Sequence, residues 1–244
     1  MGNKETEREK NRDCTIKQVQ EPSGAAAYLE NAGPKKEDWK DVPAYDPRIP
    51  GGDGHTEEEY FSLPDDLRVE LIDGVFYAMA SPSRLHQGTA IEITRQLADC
   101  IEEGHRDCFV YIAPSDVALG EDKKTVVQPD IYVHCNKDKD IVPGPYRAAP
   151  DLIVEILSPS NPENDLWRKR ELYRRHGVRE YWIINPAGLT VYVLCFKKTG
   201  PEEGTSVEYL FKEYSFRDKV PVQISDGRCA VDFQKVYYKI RHLL

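Results

Sequence analysis

The sequence predicts a mixed α+β protein in which helices flank a central mixed sheet and an N-terminal arm precedes the domain. Short apolar runs of strand length recur between residues 67 and 214, and one long stretch ending at Gly104 repeats its apolar residues at helical spacing. The two patterns alternate in the order strands, helix, strands, helix, strands. Of the 244 residues, 40% are apolar, which is sufficient for one globular core.

The folded domain is expected to occupy residues 55–244, and residues 1–54 are expected to form a flexible arm. The arm is dominated by charge, Pro and Gly, and its apolar residues follow neither a helical nor a strand period. The segment PGGDG at residues 50–54 separates the two parts. Directly after it, Thr56 and Glu59 have the spacing of a capping box, which predicts a short first helix.

The elements of the domain are predicted in order from local patterns. Asp73-Gly74 lies between apolar runs at residues 67–72 and 75–80, and this dipeptide suits the tight turn of an antiparallel hairpin. A long helix follows between Ser83 and Gly104, and a second helix at residues 163–176 should end at Gly177. The remaining apolar runs predict strands at residues 109–112, 116–119, 126–133, 152–157, 181–184, 190–196 and 209–214.

The charge balance limits the classes of function. The chain has 33 Lys and Arg against 42 Asp and Glu, a net charge of -9, whereas a general nucleic-acid coat or a membrane-surface protein would be basic. Bulk adhesion to phosphate is therefore excluded, but local attraction to phosphate is not.

The sequence is typical of a cytoplasmic protein with no membrane partner. No apolar run approaches the roughly 18–20 residues of a membrane span, and the start lacks the apolar core of a signal peptide. The six cysteines are widely spread and form no CxxC pair, so the sequence indicates neither a zinc site nor a disulfide framework. We expect reduced thiols.

Three acidic residues stand out because of their apolar neighbours. Glu155 lies within an apolar run at residues 152–157, where an unpaired carboxylate would be costly and needs a cation, a basic side chain or solvent. Asp130 has a similar setting within residues 126–133, although Pro129-Asp130 also suits a simple strand entry. Glu70 alternates with apolar neighbours in the hairpin, and the alternative for it is the polar side of that hairpin.

Two or three carboxylates that converge on one place repel each other unless a divalent cation neutralises them. Oxygen-only ligands are those that Mg²⁺ or Mn²⁺ prefers, so the three acids predict a magnesium site. The alternative for Glu155 is a structural ion pair. A basic cluster follows the last acid and comprises Arg168, Lys169, Arg170, Arg174, Arg175 and Arg179. Within this stretch, Glu171 is the only acid that opposes it. The cluster is either a phosphate-binding surface or a solvated helix face.

The order and spacing of these residues resemble the Uma-type restriction-endonuclease-like family of the PD-(D/E)XK nuclease superfamily. The resemblance runs from about residue 56 to about residue 240 and leaves out the arm. The matching pieces, in order, are Glu70-Leu-Ile-Asp-Gly, His86, Pro129-Asp130, Glu155-Ile-Leu-Ser-Pro-Ser, Lys169, Tyr173, Gly177-Val178 and Glu180-Tyr-Trp.

The resemblance implies a restriction-endonuclease-like core in which Asp130 and Glu155 match the metal-binding acids and Glu70 matches the acid near the start of the fold. The family motif places a lysine two residues after the glutamate, but that position is Leu157 here. Lys169, early in the predicted second helix, is the candidate that brings an ammonium to the same site. His86 is a candidate phosphate contact, and its alternative is a capping or packing role.

The function implied is a Mg²⁺-dependent (or Mn²⁺-dependent) endonuclease that hydrolyses DNA phosphodiester bonds, with Lys169 as the catalytic cation. Arg168 and Arg170 would grip flanking phosphates without reading sequence. A homodimer is expected, because nucleases that cut both strands commonly pair two active sites. The aromatic tail at residues 231–238 also supports a dimer interface, and the alternative is that this tail belongs to the core. Two alternatives stay open: a nuclease-fold module that binds nucleic acid or a protein without cleavage, and a hydrolase of another substrate that uses paired carboxylates.

Overall fold

The computed structural model describes residues 46, 48–104, 107–135, 143–157, 169–198 and 207–244. Residues 1–45 of the predicted arm and the first part of the predicted second helix lie outside the described residues. None of the helices in these ranges combines the length and the apolar character needed to cross a membrane. The helices are α1 (Glu57–Ser62), α2 (Arg84–Glu103), α3 (Arg170–His176) and α4 (Phe233–Ile240).

The strands follow the predicted pattern closely, with two additional strands near the C-terminus. The strands are β1 (Val69–Ile72), β2 (Val75–Ala78), β3 (Phe109–Ile112), β4 (Val117–Ala118), β5 (Val126–Val127), β6 (Ile131–His134), β7 (Leu152–Ile156), β8 (Glu180–Asn185), β9 (Thr190–Lys198), β10 (Val207–Ser215), β11 (Lys219–Val222) and β12 (Cys229–Asp232).

Six strands form the central sheet, in the order β10-β9-β8-β7-β6-β3. The pair β7 and β8 is parallel, and the other neighbours are antiparallel, so the sheet is mixed as predicted. A four-stranded sheet with the order β2-β1-β5-β4 and a two-stranded sheet of β11 and β12 complete the β structure of the described residues.

Both faces of the central sheet are covered, which explains why β7 is buried along its whole length. Leu152, Val154 and Ile156 point to the face that packs against α2, α4 and the β11–β12 pair. Ile153 points to the opposite face, which packs against α3 and the four-stranded sheet. Since side chains alternate along a strand, Glu155 lies on this second face.

The hairpin of β1 and β2 turns at Asp73-Gly74, as predicted. Both residues have positive φ values, 51° and 79°, which is the requirement that an Asp-Gly turn meets at low steric cost. Val69 pairs with Ala78 and Ile72 with Val75, so the pairing places Glu70 opposite Tyr77.

The predicted strand at residues 126–133 is wrong as a single element. Gln128, Pro129 and Asp130 interrupt it, and the two halves belong to different sheets, since β5 pairs with β1 and β4 while β6 pairs with β3 and β7. Proline has no N–H for a sheet ladder, so the chain leaves one sheet at Pro129 and enters the other.

The two ends of the described chain both contact the core. The predicted capping box is present, because the Thr56 side chain accepts from the Glu59 N–H and the Glu59 side chain accepts from the Thr56 N–H. Upstream of the predicted boundary at residue 55, Ile49 is 6% exposed and belongs to the cluster under the four-stranded sheet. In the aromatic tail, Phe233 and Val236 are buried in the main core, whereas Tyr238 is exposed, so the buried part of the tail does not support dimerisation.

The expectation of reduced thiols is wrong for four of the cysteines. Cys100 is joined to Cys229 and Cys108 to Cys135 by disulfide bonds, while Cys195 is a buried thiol. The pairs are 129 and 27 residues apart along the chain, so only the fold brings them together. Cys108 and Cys135 directly continue the β3–β6 pairing, in which Phe109 lies opposite His134.

Candidate active site

Lys169 lies between two of the predicted acids. Its Nζ is 2.9 Å from Glu155 Oε1 and 3.0 Å from Glu70 Oε1. All three residues are buried, with 3% of Glu70, 2% of Glu155 and 4% of Lys169 exposed. Such buried carboxylates require a compensating charge, and the ammonium that contacts both of them supplies one positive charge.

Helix α3 positions Lys169 and Tyr173 one helical turn apart, so both reach the same carboxylate. The Tyr173 hydroxyl donates to Glu155 Oε1 over 2.6 Å, and Tyr173 is fully buried. Burial raises the pKa of Tyr173 well above its usual value, and the negative charges of Glu155 and Glu70 raise it further. Tyr173 is therefore a neutral phenol that acts only as a donor to Glu155. The helix ends at Gly177 in the left-handed conformation, as predicted.

Glu70 is held by its main-chain surroundings as well as by Lys169. The Gln128 N–H donates to Glu70 Oε1 over 2.9 Å. Because Gln128 directly follows β5, which pairs with β1, the four-stranded sheet brings this N–H to the middle of β1.

Asp130 immediately precedes β6 and is held by two donors. Its Oδ2 accepts from the Ile156 N–H over 2.7 Å and lies 3.0 Å from His86 Nε2. In the β6–β7 pairing, Ile131 lies opposite Val154, and one further step places Asp130 opposite Glu155. Asp130 and Glu155 therefore meet at the same end of two neighbouring strands.

His86 lies in the first turn of α2, where Ser83 accepts from its main-chain N–H over 3.2 Å. Its side chain contacts Asp130 and is buried, with 10% of the side chain exposed. Within the described ranges, His86 Nδ1 is buried and has no hydrogen-bond partner. Its contact with Asp130 makes it a neighbour of the acids, and the phosphate contact stays a prediction.

Much of the basic cluster forms ion pairs with acids of the chain. Arg174 contacts Glu171 at 2.6 Å, and Arg175 contacts Asp73 of the hairpin turn. Arg179 contacts Asp151 at 2.8 Å. Arg170 is half-buried beside Lys169, and Arg168 lies outside the described residues. These pairs favour the structural interpretation for the later part of the cluster.

The donor set has the chemistry that Mg²⁺ or Mn²⁺ prefers, because all three predicted ligands are carboxylates. Two of them already converge on one cation, the Lys169 ammonium. In the part of the chain that the structure describes, however, no group of three or more His, Cys, Asp or Glu side chains is gathered to hold a metal ion. Asp130 instead engages His86 and the Ile156 N–H.

Two participants were not among the predicted site residues. Tyr173 was noted only as one of the pieces that match the family, and its donation to Glu155 depends on how α3 packs on the sheet. Gln128 was part of a predicted strand, and its contact with Glu70 uses the main chain, which no side-chain pattern reveals.

The mixed sheet, with its acids on neighbouring strands, defines a restriction-endonuclease-like α+β protein. A crystal structure described as that of "a putative nuclease belonging to DUF820 from Anabaena variabilis" superimposes with a TM-score of 0.56 and 20% identity, covering 75% of this chain and 99% of that one. At this identity the likeness concerns the fold.

The chain belongs to the Uma2 family, described as "Putative restriction endonuclease", whose family model matches residues 57–223. A Synechocystis relative, "Uncharacterized protein slr1290", is 26% identical over 140 residues, which cover 56% of this chain and 71% of that protein. The family assignment agrees with the resemblance seen in the sequence.

Proposed function

We propose that this protein is a metal-dependent endonuclease that hydrolyses DNA phosphodiester bonds with Mg²⁺ or Mn²⁺. The observation that carries the proposal is the contact of the Lys169 ammonium with both Glu155 and Glu70, at 2.9 and 3.0 Å. This contact supports Lys169 as the cation that replaces the motif lysine, whose position is occupied by the buried Leu157.

Asp130, Glu155 and Glu70 would hold the divalent ion. A divalent ion bound there would polarise a phosphoryl oxygen and lower the pKa of water, which supplies a nucleophile near neutral pH. The three carboxylates fit this role by their chemistry, because hard cations prefer oxygen donors.

The surrounding residues hold the three carboxylates in place and add a positive charge beside them. The Tyr173 hydroxyl orients Glu155, and the Gln128 N–H orients Glu70. His86 and the Ile156 N–H orient Asp130. Lys169 places a positive charge at the acids, where it stabilises negative charge that develops on a phosphoryl group in the transition state.

DNA binding would rely on local charge because the chain as a whole is acidic. Arg168 and Arg170 flank Lys169 in sequence and are the proposed contacts for flanking phosphates, which position a strand without reading its sequence. We also propose a homodimer, so that two sites cut the two strands.

A module that binds nucleic acid or a protein without cleavage is the second candidate. The burial of the cluster favours it, because at most 4% of Glu70, Glu155 and Lys169 is exposed to a substrate. The Lys169 ammonium also contacts both acids, which is an arrangement that a structural ion-pair network would have.

The test is cleavage of a supercoiled plasmid with Mg²⁺, with Mn²⁺ and with a chelator. Nicked and linear products that require a divalent ion and disappear in Glu155→Gln support the nuclease. Glu213→Gln, an exposed change on β10, is the matched control and should cut at the wild-type rate. Metal-independent DNA binding without products would favour the binding module. The absence of both DNA binding and cleavage would contradict the nuclease and a module that binds nucleic acid, and would leave a module that binds a protein.

A further inference from the structure

The segment Gln128-Pro129-Asp130 links the surroundings of two of the acids. Glu70 lies on β1 of the four-stranded sheet, and Asp130 immediately precedes β6 of the central sheet. The Gln128 N–H donates to Glu70 Oε1 over 2.9 Å, and Asp130 is two residues further on. Proline fixes its own φ and restricts the residue before it to extended conformations. The segment is therefore stiff, and whatever holds Gln128 in place also limits where Asp130 can lie.

Two side chains from other elements hold the Gln128 carboxamide. Its Nε2 lies 3.0 Å from Asp116 Oδ1, just before β4, and 3.1 Å from the hydroxyl of Tyr60 on α1. The Tyr60 hydroxyl in turn donates to Asp116 Oδ1 over 2.8 Å. The three polar groups thus form a closed triangle beside the site.

The chemistry of the triangle fixes the direction of each hydrogen bond. Asp116 is an acceptor only, so the amide nitrogen of Gln128, and not its oxygen, must face it. Burial raises the pKa of Tyr60, and the negative charge of Asp116 raises it further, so Tyr60 remains a donor. Gln128 Oε1 is left buried and without a hydrogen-bond partner within the described ranges.

The two amide N–H groups of Gln128 therefore face Asp116 and the Tyr60 hydroxyl, and a hydrocarbon side chain of similar length would make neither bond.

We propose that Gln128 is a positioning residue, held by Tyr60 and Asp116, that sets the place of Glu70 through its main-chain N–H and of Asp130 through Pro129. The catalytic meaning of this inference rests on the proposed nuclease function. The positioning itself concerns the geometry of Glu70 and is measurable without metal or substrate.

The primary test is hydrogen exchange of the residue-128 amide, followed by NMR in the full chain. Gln128→Met removes both side-chain donors, and the loss of such bonds should speed exchange at residue 128 by on the order of tenfold. Asp116→Leu should act in the same way, while Asp116→Asn, which keeps an acceptor oxygen, should stay within about twofold of the wild type. If Gln128→Met fails to fold, the Asp116 pair decides.

Gln96→Met is the matched control, because Gln96 is also a buried glutamine whose amide is hydrogen-bonded at both ends. Its Nε2 donates to the Asp232 carbonyl and its Oε1 accepts from the Asp232 N–H, on the far side of the domain. It should lower the melting temperature without changing exchange at residue 128. Unchanged exchange at residue 128 in both Gln128→Met and Asp116→Leu would overturn the inference.

Calorimetric titration with Mn²⁺ and plasmid cleavage separate this inference from the proposed function. In an active wild type, Gln128→Met should weaken Mn²⁺ binding and lower kcat with KM for DNA unchanged. If the wild type neither binds Mn²⁺ nor cuts while Gln128→Met still speeds exchange, the nuclease proposal fails and the positioning role stands.

Discussion

Lys169 Nζ lies 2.9 Å from Glu155 Oε1, although 14 residues separate the two along the chain. Helix α3 carries the lysine back to the strand from which the motif lysine would have projected. At that motif position Leu157 packs into the core on the same face of the sheet. Under the proposed nuclease function, Lys169 would supply from this neighbouring element the ammonium that the family motif takes from the strand.

Lys169→Met should abolish cleavage while leaving DNA binding largely intact, because it removes one positive charge at the acids and none of the arginines. It also leaves two buried carboxylates without their shared cation, which should destabilise the fold by about 3–5 kcal/mol. Mg²⁺ should restore part of this loss, so the variant's melting temperature should rise more with Mg²⁺ than that of the wild type.

Lys235→Met, an exposed change on α4, is the control and should alter neither the cleavage rate nor the melting temperature. Lys169→Arg should retain partial activity, since a planar guanidinium replaces a compact ammonium imperfectly. Cleavage by Lys169→Met at the wild-type rate would show that Lys169 is not the catalytic cation.

Tyr173→Phe should lower kcat and destabilise the protein by about 1–3 kcal/mol, because Glu155 loses a donor at a fully buried position. The effect should be the same from pH 6 to pH 8, since the raised pKa keeps the Tyr173 hydroxyl protonated throughout. Denaturant unfolding and cleavage rates check this, with Tyr192→Phe, a half-exposed tyrosine on β9, as the control. Equal stability of the two variants would contradict the role given to the hydroxyl.

Much of the fold follows from local patterns. Asp73-Gly74 predicted the hairpin because few other dipeptides accept two positive φ values. The capping box at Thr56 and the glycine at 177 marked helix ends, because both act through bonds to nearby backbone. Glu155 was conspicuous since an acid inside an apolar run requires a partner.

What the sequence did not reveal depends on contacts between distant segments. The partner of Glu155 is set by the packing of α3 on the sheet, and the disulfide between Cys100 and Cys229 by the packing of α2 on β12. The break at Pro129 was missed because both halves of the run are apolar and buried, so periodicity alone could not separate two strands of different sheets.

Glu180 should make stability depend on pH. It is fully buried, and burial raises its pKa from 4.5 to about 7. Hydrogen bonds from the Ile224 and Gln223 N–H groups and from Trp182 lower the pKa, as does the nearby charge of Arg179, but they do not offset the effect of burial. Between these two pH values the folded state binds more protons than the unfolded state. The contribution of Glu180 to the free energy of unfolding therefore falls as pH rises through this window, by at most about 3 kcal/mol.

The measurement is the free energy of unfolding from pH 4 to pH 8 for the wild type and Glu180→Gln. The wild type should lose stability relative to the variant between pH 4.5 and about 7, with no further change above that range. A difference that is constant with pH would contradict the raised pKa.

The N-terminal boundary is testable by two deletions. Removal of residues 1–45 should leave the melting temperature nearly unchanged, as the charge-rich and aperiodic sequence predicts. Removal of residues 1–50 should lower it, because Ile49 is buried and Arg48 contacts Asp66 at 2.8 Å; burial of the isoleucine alone contributes about 1.5–3 kcal/mol. Equal melting temperatures for the two deletions would show that Ile49 does not stabilise the domain.

Anomalous diffraction from a crystal soaked in Mn²⁺ shows whether Asp130, Glu155 and Glu70 hold a divalent ion, as we propose. We expect an anomalous peak in contact with carboxylate oxygens of both Asp130 and Glu155, with Glu70 in contact directly or through water. A crystal at saturating Mn²⁺ with no peak at these carboxylates, and with Lys169 still bound to both Glu70 and Glu155, would contradict it.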